Sequence, residues 1–117
     1  MKIATWNVNS LNVRLPHLLD WLARESPDAV GLQEIKCDDA KFPIEAIRAA
    51  GYDAVFAGQK TYNGVAILAR TPITDVQRGI RGFADPQQRV IAATIDGVRV
   101  VNAYFPNGQA PGTEKFT

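Results

Sequence analysis

The 117-residue sequence has one cysteine, Cys37, one histidine, His17, and no apolar run longer than a strand. A lone cysteine excludes an intrachain disulfide, and with it a small disulfide-stapled scaffold. It fits a reducing compartment, so a cytoplasmic location is the expectation. The missing apolar run excludes a membrane-spanning helix, which needs about 20 residues. The opening "MKIATWNVNS" lacks the apolar core of a signal peptide. An excess of either charge is missing too: 13 Lys and Arg stand against 12 Asp and Glu, a net charge of +1. Binding to nucleic acid through bulk positive charge is thereby excluded, and any DNA contact has to be local. Repeats, low-complexity tracts and linkers are absent. What remains reads as globular, 46% hydrophobic and 21% charged, with the length of one modest domain.

The order of elements follows from periodicity. "KIATWNV" (2–8) is rich in β-favouring residues and reads as a strand. Leu11, Leu15, Leu18, Leu19 and Leu22 then fall on one face of a helix. Pro16 suits a first helical turn, so the regular helix is expected to start there. Ser26-Pro27-Asp28 ends it, and "AVGLQE" is the next strand. Strand, helix, strand predicts a parallel βαβ unit. "KFPIEAIRAAG" reads as a second helix, with Pro43 near its start, Ile44 and Ile47 facing inward and Gly51 as its stop. Strands follow: "YDAVFAG", a turn at 60–63, "GVAILAR", then "ITDVQRGI". "RVIAATI" and "VRVVNAYF" are joined by Asp96-Gly97, a strong signal for a two-residue hairpin.

Several of these strands are apolar on both faces. In "GVAILA", Val65 and Ile67 oppose Ala66 and Leu68. Such strands need cover on both sides, and two short helices cover one. The expectation is a face left bare, open to self-association or to a further part of the fold.

The candidate chemistry sits at strand ends, where sheets with parallel neighbours form their ligand crevices. Asn7 ends the first strand, Glu34 the second, and Asn102 and Tyr104 lie near the end of the last. A hard cation such as Mg²⁺ takes oxygen ligands, so Glu34 and the Asn7 amide oxygen are candidate ligands. The plain alternative makes Glu34 a solvated loop acid and Asn7 a turn residue.

Four segments tip that balance. "ATWNVNSL", "VGLQEIK", "GQKTYNGVAIL" and "VVNAYFPNG" resemble, in this order, the N-terminal part of exonuclease III-type enzymes of the endonuclease/exonuclease/phosphatase superfamily. The likeness covers essentially the whole chain. It implies an α/β fold: one half of a four-layer α/β sandwich, a mixed β-sheet with helices on one face. It implies that Glu34 binds the metal, that Asn7 stands beside it, and that Tyr104 is the active-site tyrosine near the scissile phosphate. Asn102, on the same strand face as Tyr104, becomes a candidate substrate contact, as do Lys60 and Asn63 in the hairpin that resembles a DNA-facing loop. Arg89 falls where the family has an arginine ahead of a strand; a phosphate contact and a surface salt bridge both remain open for it. His17 matches no catalytic position and reads as solvated. Cys37, Trp6 and Trp21 read as packing residues.

The family's later signatures, aspartate-x-asparagine and serine-aspartate-histidine, do not occur in this sequence. The resemblance therefore implies an N-terminal half-domain, residues 1–117, with the general base and imidazole outside it. The whole enzyme implied is a Mg²⁺-dependent phosphodiesterase, with Mn²⁺ as a substitute. It would act on double-stranded DNA at 3′ ends and abasic sites, in base-excision repair. Two alternatives stay open: a related phosphoesterase with a phosphoinositide or sphingolipid substrate, and a non-catalytic half-domain.

Overall fold

The computed structural model describes residues 1–58, 63–79 and 89–104. Chain order is β1 (Ile3–Asn7), α1 (Leu11–Glu25), β2 (Ala29–Gln33), a 3₁₀ turn (Asp39–Lys41), α2 (Ile44–Ala49), β3 (Asp53–Ala57), β4 (Val65–Ala69), β5 (Ile73–Arg78), β6 (Val90–Ile95) and β7 (Val98–Ala103). Among the described residues no helix is long and apolar enough to cross a membrane.

β1 and β2 pair in parallel, Ile3 opposite Ala29 and Asn7 opposite Gln33, with α1 as the crossover. β4 runs antiparallel between β2 and β3, giving a mixed first sheet of order β1-β2-β4-β3. This is the expected βαβ start within a mixed sheet. Helix α1 begins earlier than Pro16 predicts, at Leu11, and carries Pro16 in its interior. Tertiary ties explain the shift. The Ser10 and Leu11 N–H groups donate to the Glu34 and Ile35 carbonyls at 2.8 and 2.9 Å, so the helix starts against the end of β2. Buried Leu11, Leu18 and Leu22 then hold it across the lost proline hydrogen bond. α2 starts at Ile44 behind Pro43 and buries Ile47, as its sequence indicates.

Both helices cover one face of the first sheet. Val30, Leu32, Ala66 and Leu68 point there and join Leu11, Leu18, Leu22, Ile35, Phe42 and Ile47 in one core. Trp6 and Trp21 pack against it, ring centroids 6.2 Å apart, while Phe42 and Phe56 stack at 3.9 Å.

The other face is not bare, contrary to the sequence expectation. β5, β6 and β7 form a second, antiparallel sheet that folds over it. Ala29, Ala57, Val65, Ile67 and Ala69 of the first sheet meet Ile91, Ala93 and Ile95 of the second. Every residue of β4 is therefore buried. The chain supplies this cover itself because Asp96 and Gly97, both at positive φ (51° and 76°), make the tight hairpin that pairs β6 with β7. The side left open is the outer face of the second sheet, where Val101 is 64% exposed. At the far end from Asn7, Asp28 clasps three strand ends of the first sheet: it accepts from the Lys2 N–H at 2.6 Å and from Arg70 at 2.7 Å.

Candidate active site

β1 and β2 end side by side, and the chain turns sharply after both. Asn9, Ser10, Glu34, Lys36 and Asn63 all have positive φ, and Gly64 joins them at 89°. For non-glycine residues this region costs on the order of 1–2 kcal/mol each. Backbone bonds hold the strained turns together. Ile35 donates to the Gly64 carbonyl at 3.2 Å and Lys36 to the Asn63 carbonyl at 3.0 Å.

The φ of 55° at Glu34 has a direct consequence. Strand alternation would send Glu34 to the helix side with Leu32. The left-handed turn inverts the alternation. Ile35 drops into the helix-side core instead, and the Glu34 carboxylate reaches across to the second sheet. There the Tyr104 hydroxyl donates a short hydrogen bond to Glu34 Oε2. Burial, followed by that carboxylate, pushes the Tyr104 phenol up to about 12. At neutral pH it is a proton donor, held in place by an acceptor that is itself a candidate ligand.

Asn7 ends β1 opposite Gln33, one residue before Glu34. It is exposed, and its Oδ1 accepts the Asn9 N–H at 3.2 Å. Lys36 Nζ donates to Asn9 Oδ1 at 2.6 Å on the same rim. Arg89 comes to the site through its backbone: its carbonyl accepts the Tyr104 N–H at 2.8 Å. Asn63 is buried, 7% exposed, and its carbonyl braces the turn after Glu34. Lys60 lies outside the described residues.

Asn102 departs from its expected role. It shares the inward face of β7 with Tyr104 but is only 5% exposed. Its Nδ2 donates to the Leu32 and Ala66 carbonyls, both at 2.8 Å, and its Oδ1 accepts from Gln33 Nε2 at 2.6 Å. A buried amide with both N–H groups committed between two sheets has no free donor to offer a substrate. Gln33, its partner, was legible only as a polar interruption in an apolar strand; it also donates to Thr5 Oγ1 at 2.7 Å.

His17 is exposed on α1, and Cys37 is buried, its thiol pushed up to about 11 by burial and then by Asp38 and Asp39. Neither reaches the site. A hard divalent cation suits the oxygen donors present, the Glu34 carboxylate and the Asn7 amide. Among the described residues no group of three or more His, Cys, Asp or Glu could hold a metal ion. The fit is to a cation that keeps most of its water or takes further ligands from elsewhere.

The sequence profile of the Endonuclease/Exonuclease/phosphatase family matches residues 4–115. The chain belongs to this family. Exodeoxyribonuclease III of Haemophilus influenzae is 36% identical, over 99% of this chain and 48% of the relative. The DNA repair nuclease APEX1 of Danio rerio is 36% identical, over 92% of this chain and 36% of its own length. Among solved structures, the 3′ phosphatase NExo from Neisseria, bound to a product DNA hairpin, superimposes with a TM-score of 0.91. It is 55% identical over 99% of this chain and 46% of that one. An AP endonuclease from Archaeoglobus fulgidus gives 0.90 at 40% identity, covering 99% and 45%. The α/β fold of the family member is thus the one expected. The chain spans about half the length, or less, of the curated relatives it matches.

Proposed function

We propose that this chain forms one wall of a Mg²⁺-dependent phosphodiesterase centre that hydrolyses double-stranded DNA at 3′ ends and abasic sites, in base-excision repair in the cytoplasm. The observation that carries it is the Tyr104–Glu34 hydrogen bond across the two sheets, at the strand ends where Asn7 also stands. The names of the similar proteins, nucleases and a 3′ phosphatase acting on DNA, support the substrate class.

Mg²⁺, or Mn²⁺ in its place, would be held by Glu34 and, directly or through water, by Asn7. When bound, it supplies charge neutralisation at the scissile phosphate. The remaining steps belong to the protein. Tyr104 keeps its proton at neutral pH and orients the carboxylate; in this reading its phenol would also meet the scissile phosphate. Arg89 and Lys60 would contact the DNA backbone, and Asn63, buried in the turn that follows Lys60, would do so through an edge that the duplex reaches only at close approach. Contacts of this kind position a duplex without reading its bases. In this reading the general base and the imidazole come from outside residues 1–117, which alone bind metal weakly and do not turn over.

The test uses duplex DNA carrying an abasic site, with the protein at its full natural length and with residues 1–117 alone. Cleavage by the former, dependent on Mg²⁺ and abolished in Glu34→Ala, is the expected result. Activity that survives Glu34→Ala removes Glu34 from the metal site. Hydrolysis of phosphoinositides or sphingomyelin but not DNA replaces the substrate. Nucleotide release by residues 1–117 alone shows that the base lies within them.

A further inference from the structure

Apolar contact between two sheets is strong but non-directional. The layer between these sheets is made largely of alanine, valine and isoleucine, and nothing in such a surface prevents a small slide. The pairing of Tyr104 with Glu34 has no tolerance for one. A slip of one residue moves a strand by about 3.3 Å, more than a hydrogen bond survives.

One polar cluster interrupts this layer. Asn102 on β7 engages the carbonyls of Leu32 on β2 and Ala66 on β4, and takes a hydrogen bond from Gln33. Gln33 reaches on to Thr5 on β1. Three strands of the first sheet are thereby tied to one residue of the second. The tie stands one residue before Glu34 and two residues before Tyr104. Gly31 makes the space for it: a Cβ there would sit 3.0 Å from Asn102 Cγ and Oδ1. Two buried amides and a mid-strand glycine are each a poor choice for strand stability alone. An apolar pair of the same shape would stabilise the layer about as well.

We propose that Asn102 and Gln33 are positioning residues, an amide lock that fixes the two sheets in the register that seats the Tyr104 hydroxyl on Glu34. The consequence for catalysis rests on the proposed function. The positioning itself does not, and it can be read without turnover.

The experiment compares Asn102→Leu with the unsubstituted chain by NMR at neutral pH, following the Tyr104 hydroxyl proton, which is assigned by its loss in Tyr104→Phe. The expected result is a folded variant that keeps the tertiary signals of Trp6 and Trp21 but loses the hydroxyl resonance. A resonance unchanged in position and intensity, in a variant merely less stable, overturns the proposal. If Asn102→Leu does not fold, Gln33→Met decides, since it preserves volume and leaves the bonds of Asn102 to Leu32 and Ala66. The readout is then a denaturation cycle with Tyr104→Phe. Loss of the Tyr104→Phe effect in the Gln33→Met background supports the lock; full additivity refutes it.

Discussion

On its helix side the central sheet meets large side chains: Leu18, Leu22, Leu32, Leu68, Ile35 and Ile47, all fully buried, with Phe42 stacked on Phe56. On its other side it meets small ones: Ala29, Ala57, Ala69 and Ala93 between Val65, Ile67, Ile91 and Ile95. The buried amides Gln33 and Asn102 lie in this second layer, and Tyr104 closes it at the edge. The thick apolar layer secures the fold. The thin layer brings two backbones close enough for a carboxylate on one sheet to meet a phenol on the other. The difference separates stability from alignment, and substitutions in the two layers should differ accordingly.

The largest effect belongs to the thick layer. Leu22→Ala removes a fully buried side chain and should cost about 2–5 kcal/mol in urea denaturation. The Tyr104–Glu34 contact should persist in the folded fraction. A cost no greater than that of Val13→Ala at an exposed helix position would show that the helix layer is not the anchor. In the thin layer, Gly31→Ala should cost about 1–3 kcal/mol by overpacking. Its penalty should shrink in an Asn102→Ala background, because the crowded atoms are those of the Asn102 amide. Equal penalties in both backgrounds would place the strain elsewhere.

Titration probes the thin layer more gently. The unfolded Tyr104 phenol releases its proton near about 10, the folded one at about 12. The folded state holds the extra proton, so this contribution to stability is complete below about pH 10. It is lost as pH rises towards about 12. Tyr104→Phe should remove that part of the alkaline decline, measured by denaturation at about pH 9 and about pH 11. An identical decline in both proteins would mean that Tyr104 titrates normally. The smallest effect lies at the opposite end of the sheet. The Lys2 N–H and then Arg70 hold the Asp28 carboxyl below its usual value. Its stabilisation is present above the ordinary carboxyl pKa of about 4 and is lost as pH falls through the lowered one. Asp28→Asn should flatten that acid limb slightly, as befits an exposed pair. An unchanged acid limb would show that the clasp adds nothing.

Much of the fold was legible because it is local. Leu11, Leu18 and Leu22 announce α1 by spacing, Pro43 and Gly51 bracket α2, and Asp96-Gly97 marks its hairpin. Pro16 misled, since its preference for a first turn was outweighed by packing and by the hydrogen bonds that start α1 at Leu11. The two-sided apolar strands correctly demanded two covers, but their pattern could not say that β5–β7 provide the second. At the site, the types and order of Asn7, Glu34 and Tyr104 made them candidates, and the structure joins Glu34 and Tyr104 by a hydrogen bond. Asn102 was misplaced because a buried amide and a substrate-facing amide look the same in one dimension.

The sequence by itself determined which segments become helix or strand, where the tight turns fall, and which family the chain resembles. The first two follow from periodicity and turn propensity, which act over a few residues; the resemblance rests on the wording and order of four short segments. Only the tertiary structure decided that Glu34 turns away from the helix side, that Asn102 is spent between the sheets, and that the second sheet closes over the first. Each of these depends on groups far apart in the chain, 70 residues for Tyr104 and Glu34 and 69 for Gln33 and Asn102. Contacts at that separation leave no local pattern, because they exist only once both sheets have formed and packed.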